Sequence, residues 1–580
     1  MAADPLKPED DCDMATTLEE PFMSKGELAL HEAARTGKEA RLEELLTIVK
    51  VDCRNNLNRT ALHMAASKGQ TGAVRVLLEY KAGIELADKY GMTALMWATY
   101  FGHIEVVELL LERSASVKKR NKLGMHALHI AADQNNCELV RLYLTKTKKS
   151  ILNDTEKNGQ TALMIAAGKG NIEVVQLLLS YPEVDLMVKD AKKMTALHLA
   201  AENGCAKVLE ELLREVYKLR DLVNEKDESE RIPLHYAVEK GHIGAIRCLL
   251  THGSEVNATA EREMTAFHLA AVKGHMDVLK YLKEHGANVN ALNLTHSTAL
   301  HYAALNDSAE QIFTLVSLGC ETSLPNNRNQ TPLHLAVEQN KPNAAEALLL
   351  CDAPINVRDK TGKTPLILAT RGSYISMVDM IIKAERYRER KKRQQSGEAK
   401  HPTALVDQLD SDGAVYKPAD YENRININEP TEEELEQEIS ADDAMHNGTV
   451  PTYRLREFQQ PYAEEFKQYL WKLAFKHLRQ NEWKKLAAFW QFKTEHVEAI
   501  EHQYTDESSY KQHGYRVLCI WFHGVDRQDT PIRELYEALA SIGRRPLAEK
   551  VRRQLDRSAV QAYPGAGRGA AGDVRRCSLQ

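Results

Sequence analysis

Apolar and polar positions along this chain follow a rhythm that returns about every 33 residues between residues 28 and 384. In one such repeat, apolar residues stand at Val106, Leu109 and Leu110, the i, i+3, i+4 spacing of a helix with one buried stripe. Small residues earlier in each repeat, such as Ala65 and Ala66, allow neighbouring helices to approach closely. A unit of this size cannot bury its apolar stripes alone. The pattern therefore predicts helix pairs, joined by hairpin loops, that stack into a solenoid.

Each repeat opens with the phrase T-A-L-H-x-A-A or a close variant. Thr93 stands where a helix N-cap is needed, and Gly102 stands where the first helix ends, the usual place for a left-handed residue. In repeats nine and ten, Asn306 and Asn340 replace this glycine. The eleven phrases begin at Leu28, Thr60, Thr93, His126, Thr161, Thr195, Ile232, Thr265, Thr298, Thr331 and Thr364.

Most phrases carry a histidine at the fourth position. Equivalent positions in stacked helices lie about 8–10 Å apart, too far for several to share one metal ion at bonds of about 2 Å. Met96 and Met164 replace the histidine in two repeats. We therefore predict structural histidines that hydrogen-bond within the turns, and neither a metal ion nor a cofactor. They are His63, His129, His198, His235, His268, His301 and His334.

The composition changes after the repeats, and this sets the predicted domains. We expect a disordered acidic N-terminus at residues 1–24, repeats at 25–386, a flexible linker at 387–455 that is basic and then acidic, a helical domain at 456–556, and a disordered tail at 557–580. Four of the five tryptophans lie in the helical domain. Its six predicted helices span residues 464–478, 482–490, 494–504, 509–523, 531–542 and 546–554.

The repeated phrase at this period resembles the ankyrin repeat, which implies a concave protein-binding surface made of hairpin tips and first helices. The C-terminal segments around Trp471, Trp483, Ile500, Trp521 and Gly543 resemble a death domain. Their order resembles the ankyrin repeat and death domain-containing protein family. The resemblance implies an all-α fold, in which an ankyrin-repeat solenoid precedes a six-helix death-domain bundle. It also implies a signalling adaptor that binds other proteins, including death-domain proteins.

Death domains, by this resemblance, associate through charged faces. Acidic residues recur every three positions on the third predicted helix, and basic residues cluster near the end of the domain. The two sets are predicted either to meet across an interface or to be ordinary solvated helix faces. They are Glu495, Glu498 and Glu501, and Arg544, Arg545 and Lys550.

Three smaller signals concern modification and location. Cys577, fourth from the last residue, resembles a prenylation box, and the alternative is an incidental cysteine in a tail. Asn290 and Asn257 stand at hairpin sites that resemble asparagines hydroxylated in some ankyrin repeats. The basic run at residues 386–393 is interpreted as an extension of the last helix, with a nuclear-localisation signal as the alternative.

Charge and motif content narrow the function class. A net charge of −6 in 580 residues gives no general attraction to nucleic acid or membrane, so membrane contact is expected only if Cys577 is prenylated. Gly362-Lys363-Thr364 lacks the first glycine of a phosphate loop, because Val357 stands there. We expect a cytoplasmic, non-enzymatic protein with no catalytic residues. A structural linker, or a substrate of an asparaginyl hydroxylase, remains an alternative to the adaptor.

Overall fold

The computed structural model describes residues 23–216, 220–396, 463–503, 509–523 and 531–562. The chain divides into two compact units, Met1–Thr295 and His296–Gln580. Within the described ranges the protein is all-helical, with 28 α-helices and no strands, as the sequence predicts.

Eight helix pairs, repeats one to eight, form the described part of the first unit. In the repeat that holds α12, a 3₁₀ turn at Arg220–Asn224 follows the second helix. The helices are α1 (Lys25–Thr36), α2 (Glu39–Leu46), α3 (Ala61–Ser67), α4 (Thr71–Glu79), α5 (Ala94–Phe101), α6 (Ile104–Glu112), α7 (Ala127–Asp133), α8 (Cys137–Lys146), α9 (Ala162–Lys169), α10 (Ile172–Leu179), α11 (Ala196–Glu202), α12 (Ala206–Val216), α13 (Pro233–Lys240), α14 (Ile243–Thr251), α15 (Ala266–Lys273) and α16 (Met276–Glu284).

The second unit contains repeats nine to eleven and the C-terminal bundle. The repeats contribute α17 (Ala299–Leu305), α18 (Ala309–Ser317), α19 (Pro332–Glu338), α20 (Pro342–Leu350), α21 (Pro365–Arg371) and α22 (Ile375–Ser396). The bundle contributes α23 (Ala463–Lys476), α24 (Glu482–Phe489), α25 (Thr494–Glu501), α26 (Ser509–His523), α27 (Pro531–Ser541) and α28 (Arg545–Ala562).

Within each unit, first helices pack on the first helix of the next repeat, as α3 does on α5 and α19 on α21. The alanines that follow the repeated phrase, such as Ala65 and Ala66, are fully buried at these contacts. Val74 and Leu77 of α4 are also fully buried. The i, i+3, i+4 stripes therefore face inward, as the sequence predicts.

Threonine and glycine mark the ends of the first helix where the phrase predicts them. Thr93 Oγ1 accepts the backbone N–H of Met96, and Gly102 has a φ of 77°, which L side chains rarely adopt. Repeat nine differs from the prediction, because Asn306 stays right-handed and Asp307 takes the positive φ of 55°. Asp307 stands nine residues after the phrase threonine, as Gly102 does, so the left-handed position is unchanged and the prediction named the wrong residue. A short polar side chain tolerates this conformation.

The repeated histidines join the repeats that carry them to the following backbone, which confirms their structural role. The Thr60 N–H donates to His63 Nδ1 at 3.0 Å, so Nε2 carries the proton and donates to the carbonyl of Met92 at 3.1 Å. His235 makes the same pair of bonds, to the N–H of Ile232 and the carbonyl of Ala258. Both ring nitrogens are used inside the solenoid.

The core of the C-terminal bundle forms around its tryptophans. Trp490 stacks on Trp521 with ring centroids 4.5 Å apart, and Trp483 lies against His513. Leu473, Leu486 and Leu539 are fully buried, whereas Val497 and Leu547 are only half-buried.

Helix α22 continues through Ser396, beyond residue 386, where the sequence analysis placed the end of the repeats and the start of the linker. Arg388 explains part of the extension, because its guanidinium donates to the carbonyls of Leu349 and Ala353, both at 2.7 Å. The basic run thus belongs to the last helix. It is not uniformly solvated, since Arg386 is buried. The predicted segments 1–24, 387–455 and 557–580 otherwise lie almost wholly outside the described residues.

The buried histidines predict a loss of stability in mild acid. Burial lowers the pKa of His235 to about 4. As pH falls below about 6.5, this histidine is protonated in the unfolded chain but stays neutral in the folded one. Protonation therefore favours unfolding, and the free energy of unfolding falls between pH 6.5 and 4. In urea unfolding, we expect His235→Met to reduce the loss between pH 7 and pH 5 by about 1–2 kcal/mol.

The reciprocal variant provides the control. Met164 occupies the histidine position in repeat five, so Met164→His should enlarge the loss over the same pH range by a similar amount. Wild-type pH dependence in both variants would contradict the assignment.

Candidate protein-interaction surfaces

The hairpin loops are held by one recurring arrangement. Asp88 Oδ1 accepts the backbone N–H groups of Tyr90 and Met92 at 2.8 and 2.9 Å, which closes the turn. Asn121 and Asp190 do the same in their own repeats. Each hairpin therefore presents the residue that follows this turn position, which we call the tip, in a fixed direction.

Successive tips are bonded to one another. The Lys122 N–H donates to the carbonyl of Tyr90, and the Lys157 N–H donates to that of Leu123, both at 3.0 Å. The ladder fixes the spacing of tip side chains along the first unit, independently of what those side chains are.

The tips change sign along the first unit. Exposed lysines occupy the tip in repeats three to five and the next residue in repeat six, and we call these the basic tips: Lys89, Lys122, Lys157 and Lys192. Exposed glutamates occupy the next two hairpins: Glu228, Glu230, Glu261 and Glu263. This feature was not predicted from the sequence. Its signal is a lysine one or two residues after the side chain that closes each hairpin.

An aromatic patch lies beside the basic tips. Trp97 on α5 is buried, and Tyr90, Tyr100 and Leu123 pack against it while remaining partly exposed. Phe101 stacks on Trp97 with centroids 6.0 Å apart and is 40% exposed. Partly exposed aromatic side chains on a rigid support are typical of protein-binding surfaces.

A buried ion pair supports this patch. Trp97 donates its indole N–H to Asp88 Oδ2 at 3.0 Å, and Arg59 Nε lies 3.4 Å from the same oxygen. The Arg59 guanidinium also sits over the Trp97 ring, 4.3 Å from its centroid. Asp88 thus holds both the hairpin and the indole, and the patch is preorganised.

The acidic candidates of the C-terminal bundle are exposed on α25. Glu495, Glu498 and Glu501 all face solvent, and Glu501 forms an ion pair with Lys484. Glu495 lines a polar cleft of about 370 Å³ together with Lys493 and residues of the repeat-eleven hairpin, among them Arg358. The acidic face therefore borders the last repeat.

The basic candidates separate into two kinds. Arg545 and Lys550 are exposed on α28. Arg544 instead donates to the carbonyl of His477 at 2.6 Å and lies 3.7 Å from Glu482, with its side chain 24% exposed. Arg544 joins helices within the bundle, so the exposed basic face is formed without it.

The remaining candidates have different surroundings. Asn257 is exposed, and its amide bridges to the next hairpin through the carbonyl of Gly286 and the N–H of Asn288, at 3.1 and 2.8 Å. Asn290 is half-buried, and its N–H donates to Asn288 Oδ1. Cys577 lies outside the described residues.

Neither a metal-binding cluster nor a membrane-spanning helix is found in the described ranges. No cluster of three or more His, Cys, Asp or Glu side chains there could hold a metal ion. No helix in the same ranges is long and apolar enough to cross a membrane.

Comparison with known proteins gives two family matches. The model described as "Ankyrin repeats (3 copies)" matches residues 30–122, 128–221, 183–260, 216–293, 234–326 and 300–392. The Death domain model matches residues 467–555.

The chain is also similar to the B-cell lymphoma 3 protein homolog of Mus musculus, with 40% identity over 75 residues. That match covers 13% of this chain and 16% of the mouse protein, so it concerns a short part of either.

Adjacent arginines in the bundle offer a matched test of the described geometry. Arg544→Ala removes a hydrogen bond and a partly buried ion pair, and should lower the free energy of unfolding by about 1–2 kcal/mol. Arg545→Ala should change it by less than about 0.5 kcal/mol, because that side chain is exposed. Urea unfolding followed by tryptophan fluorescence measures both. Equal effects would contradict the separation of Arg544 from the exposed basic face.

Proposed function

The chain belongs to the ankyrin-repeat proteins and carries a C-terminal Death domain, and on this basis we propose that it is a non-enzymatic signalling adaptor. Ankyrin repeats and Death domains are interaction modules rather than catalytic families. The repeats hold one partner protein, and the Death domain associates with like-folded domains. The proposed location is the cytoplasm.

The preorganised hairpin surface of the first unit supports the first half of this proposal. Tyr100 and Phe101 offer aromatic area, and the basic tips beside them, such as Lys122, offer exposed positive charge. Aromatic anchors supply contact energy, whereas rim charges mainly set orientation and association rate. The fitting partner is a protein segment that carries acidic residues and at least one large apolar side chain.

The exposed charged faces of the Death domain support the second half. Glu498 on α25 and Lys550 on α28 are exposed and opposite in charge. An acidic face on one domain can meet a basic face on another, and such an interface weakens as salt is raised. A structural linker is the second candidate. It would use the same repeats but would show no homotypic association.

Charge reversal at the tips should identify the partners of the repeats. We expect the Lys122→Glu/Lys157→Glu double variant to bind its solenoid partner about tenfold more weakly at low salt, with a smaller difference at high salt. Quantitative affinity purification of the full chain from cells, washed in a salt series, measures this.

The control makes the same charge change away from the hairpins. Lys207→Glu/Lys280→Glu alters two exposed lysines on second helices. It should recover the wild-type set of partners. Identical losses in the two double variants would contradict the hairpin surface as the binding site.

Self-association tests the Death-domain half. In sedimentation of the full chain, Glu498→Lys and Lys550→Glu should each weaken salt-sensitive association by about tenfold. An equimolar mixture of the two variants should recover part of it, because each then offers an intact face to the other. A monomer at every salt concentration, together with recovery of no Death-domain protein from cells, would favour the structural linker.

A further inference from the structure

The last ankyrin helix lies against the Death domain within the second unit. Helix α22 contacts α25 and α26, and α21 also contacts α25. These contacts involve charged side chains that would face water on an isolated terminal repeat. The pairs that these side chains form show which groups the Death-domain surface binds.

One cluster is centred on Glu385 of α22. Its carboxylate accepts from His496 Nε2 at 2.9 Å and from the Asn356 amide at 3.1 Å, and it forms an ion pair with Lys493. Lys493 also pairs with Glu389 at 2.7 Å. Burial raises the pKa of the Glu385 carboxyl, but these hydrogen bonds outweigh burial and hold the pKa at about 2. Glu385 therefore remains a carboxylate although its side chain is only 8% exposed.

A second cluster joins the N-terminal part of α22 to α26. Arg516 donates to Asp379 Oδ1 through Nε at 3.1 Å and through a terminal nitrogen at 2.5 Å. The Arg516 side chain is 7% exposed. A guanidinium buried this far is costly unless it is paired, so Asp379 is required for the arrangement to be stable.

A third contact covers the loop before α25. The Arg386 guanidinium stacks on Phe492, 3.8 Å from the ring centroid, and donates to the carbonyl of Trp490 at 3.0 Å. Arg386 is itself buried. The loop that positions the first turn of α25 is thereby held by the last repeat.

The charges of the two surfaces are complementary. Helix α22 supplies the carboxylates of Asp379, Glu385 and Glu389. The facing surface of the Death domain supplies Lys493, His496 and Arg516, and we call these three residues with Trp490 and Phe492 the docking face. The pairs made by Asp379 and Glu385 are largely buried, whereas the pair of Glu389 with Lys493 is partly exposed. Pairs at three positions along one helix define a specific site rather than a chance contact.

We propose that the docking face is a binding site for a helix that presents carboxylates to it, and that the chain's own α22 occupies it. Occupation covers the start of α25, next to Glu495, so a like-folded partner that approaches this end of the domain must displace α22. The claim that a partner must displace α22 rests on the proposed homotypic role of the Death domain. The claim that α22 occupies the docking face does not.

The test uses the full chain with a specific protease site inserted within residues 397–462 and cleaved after folding. We expect the two pieces of the wild-type protein to co-elute in size-exclusion chromatography. Asp379→Arg and Arg516→Asp should each weaken their association at least tenfold. The double variant should associate at least tenfold more tightly than either single variant, which a general loss of folding would not produce.

Lys391 supplies the matched control, because it is exposed on the same helix. Lys391→Glu should leave co-elution unchanged. Separation of the wild-type pieces, co-elution of Asp379→Arg equal to wild type, or no recovery in the double variant would each overturn the occupation by α22.

The displacement consequence has its own measurement. In sedimentation of the uncleaved chain, Asp379→Arg should tighten Death-domain association about tenfold, and the double variant should return it toward wild type. If Asp379→Arg frees the cleaved piece but leaves association unchanged, the displacement claim is wrong and the occupation stands. If no variant associates and cells yield no Death-domain partner, the proposed function fails while the occupation by α22 again stands.

Discussion

Most of the repeats in this protein depend on a hydrogen bond that they do not complete alone. The phrase histidine accepts from the cap of its own helix and donates to a carbonyl further along the chain, as His63 does to Met92 and His301 to Gln330. The apolar stripes of the repeats are likewise buried against neighbouring repeats. Stability is therefore shared between neighbours, and the positions that serve stacking are not free to vary.

The same constraint places function at the tips and on the partly exposed side of the first helices. The backbone ladder fixes where a tip stands whether it carries lysine or glutamate, as at Lys157 and Glu261. The tip side chains can therefore differ between repeats without destabilising the fold. The change of sign along the first unit and the aromatic patch around Trp97 are two such local differences, one exposed and one supported by the buried Asp88.

Local pattern predicted the helix pairs, their threonine caps, the structural histidines and the six bundle helices, because each depends on residues close in sequence. It failed where the outcome depends on which distant elements meet. Arg544 resembles its neighbour Arg545 in the sequence, yet only Arg544 reaches the carbonyl of His477. The linker was predicted to start at residue 387, but carbonyls of the preceding repeat and of the bundle accept hydrogen bonds from α22.

The contact of α22 with the Death domain also changes how its basic run is understood. Arg386 and Arg388 are committed to carbonyls and to an aromatic ring, whereas Lys391 and Lys392 are exposed. The basic charges of this run are thus divided between buried or half-buried side chains that are bonded within the protein and exposed ones. One side of the terminal helix packs against other repeat helices, and the other side contacts the Death domain.

Hydrogen–deuterium exchange of the intact chain tests this account most directly. The last helix of a solenoid frays when nothing covers it. If the Death domain covers α22, amides of residues 379–389 should exchange as slowly as those of α20 in the preceding repeat, and residues 492–497 should share that protection. Exchange across residues 379–389 as fast as in an uncovered terminal helix would contradict the account.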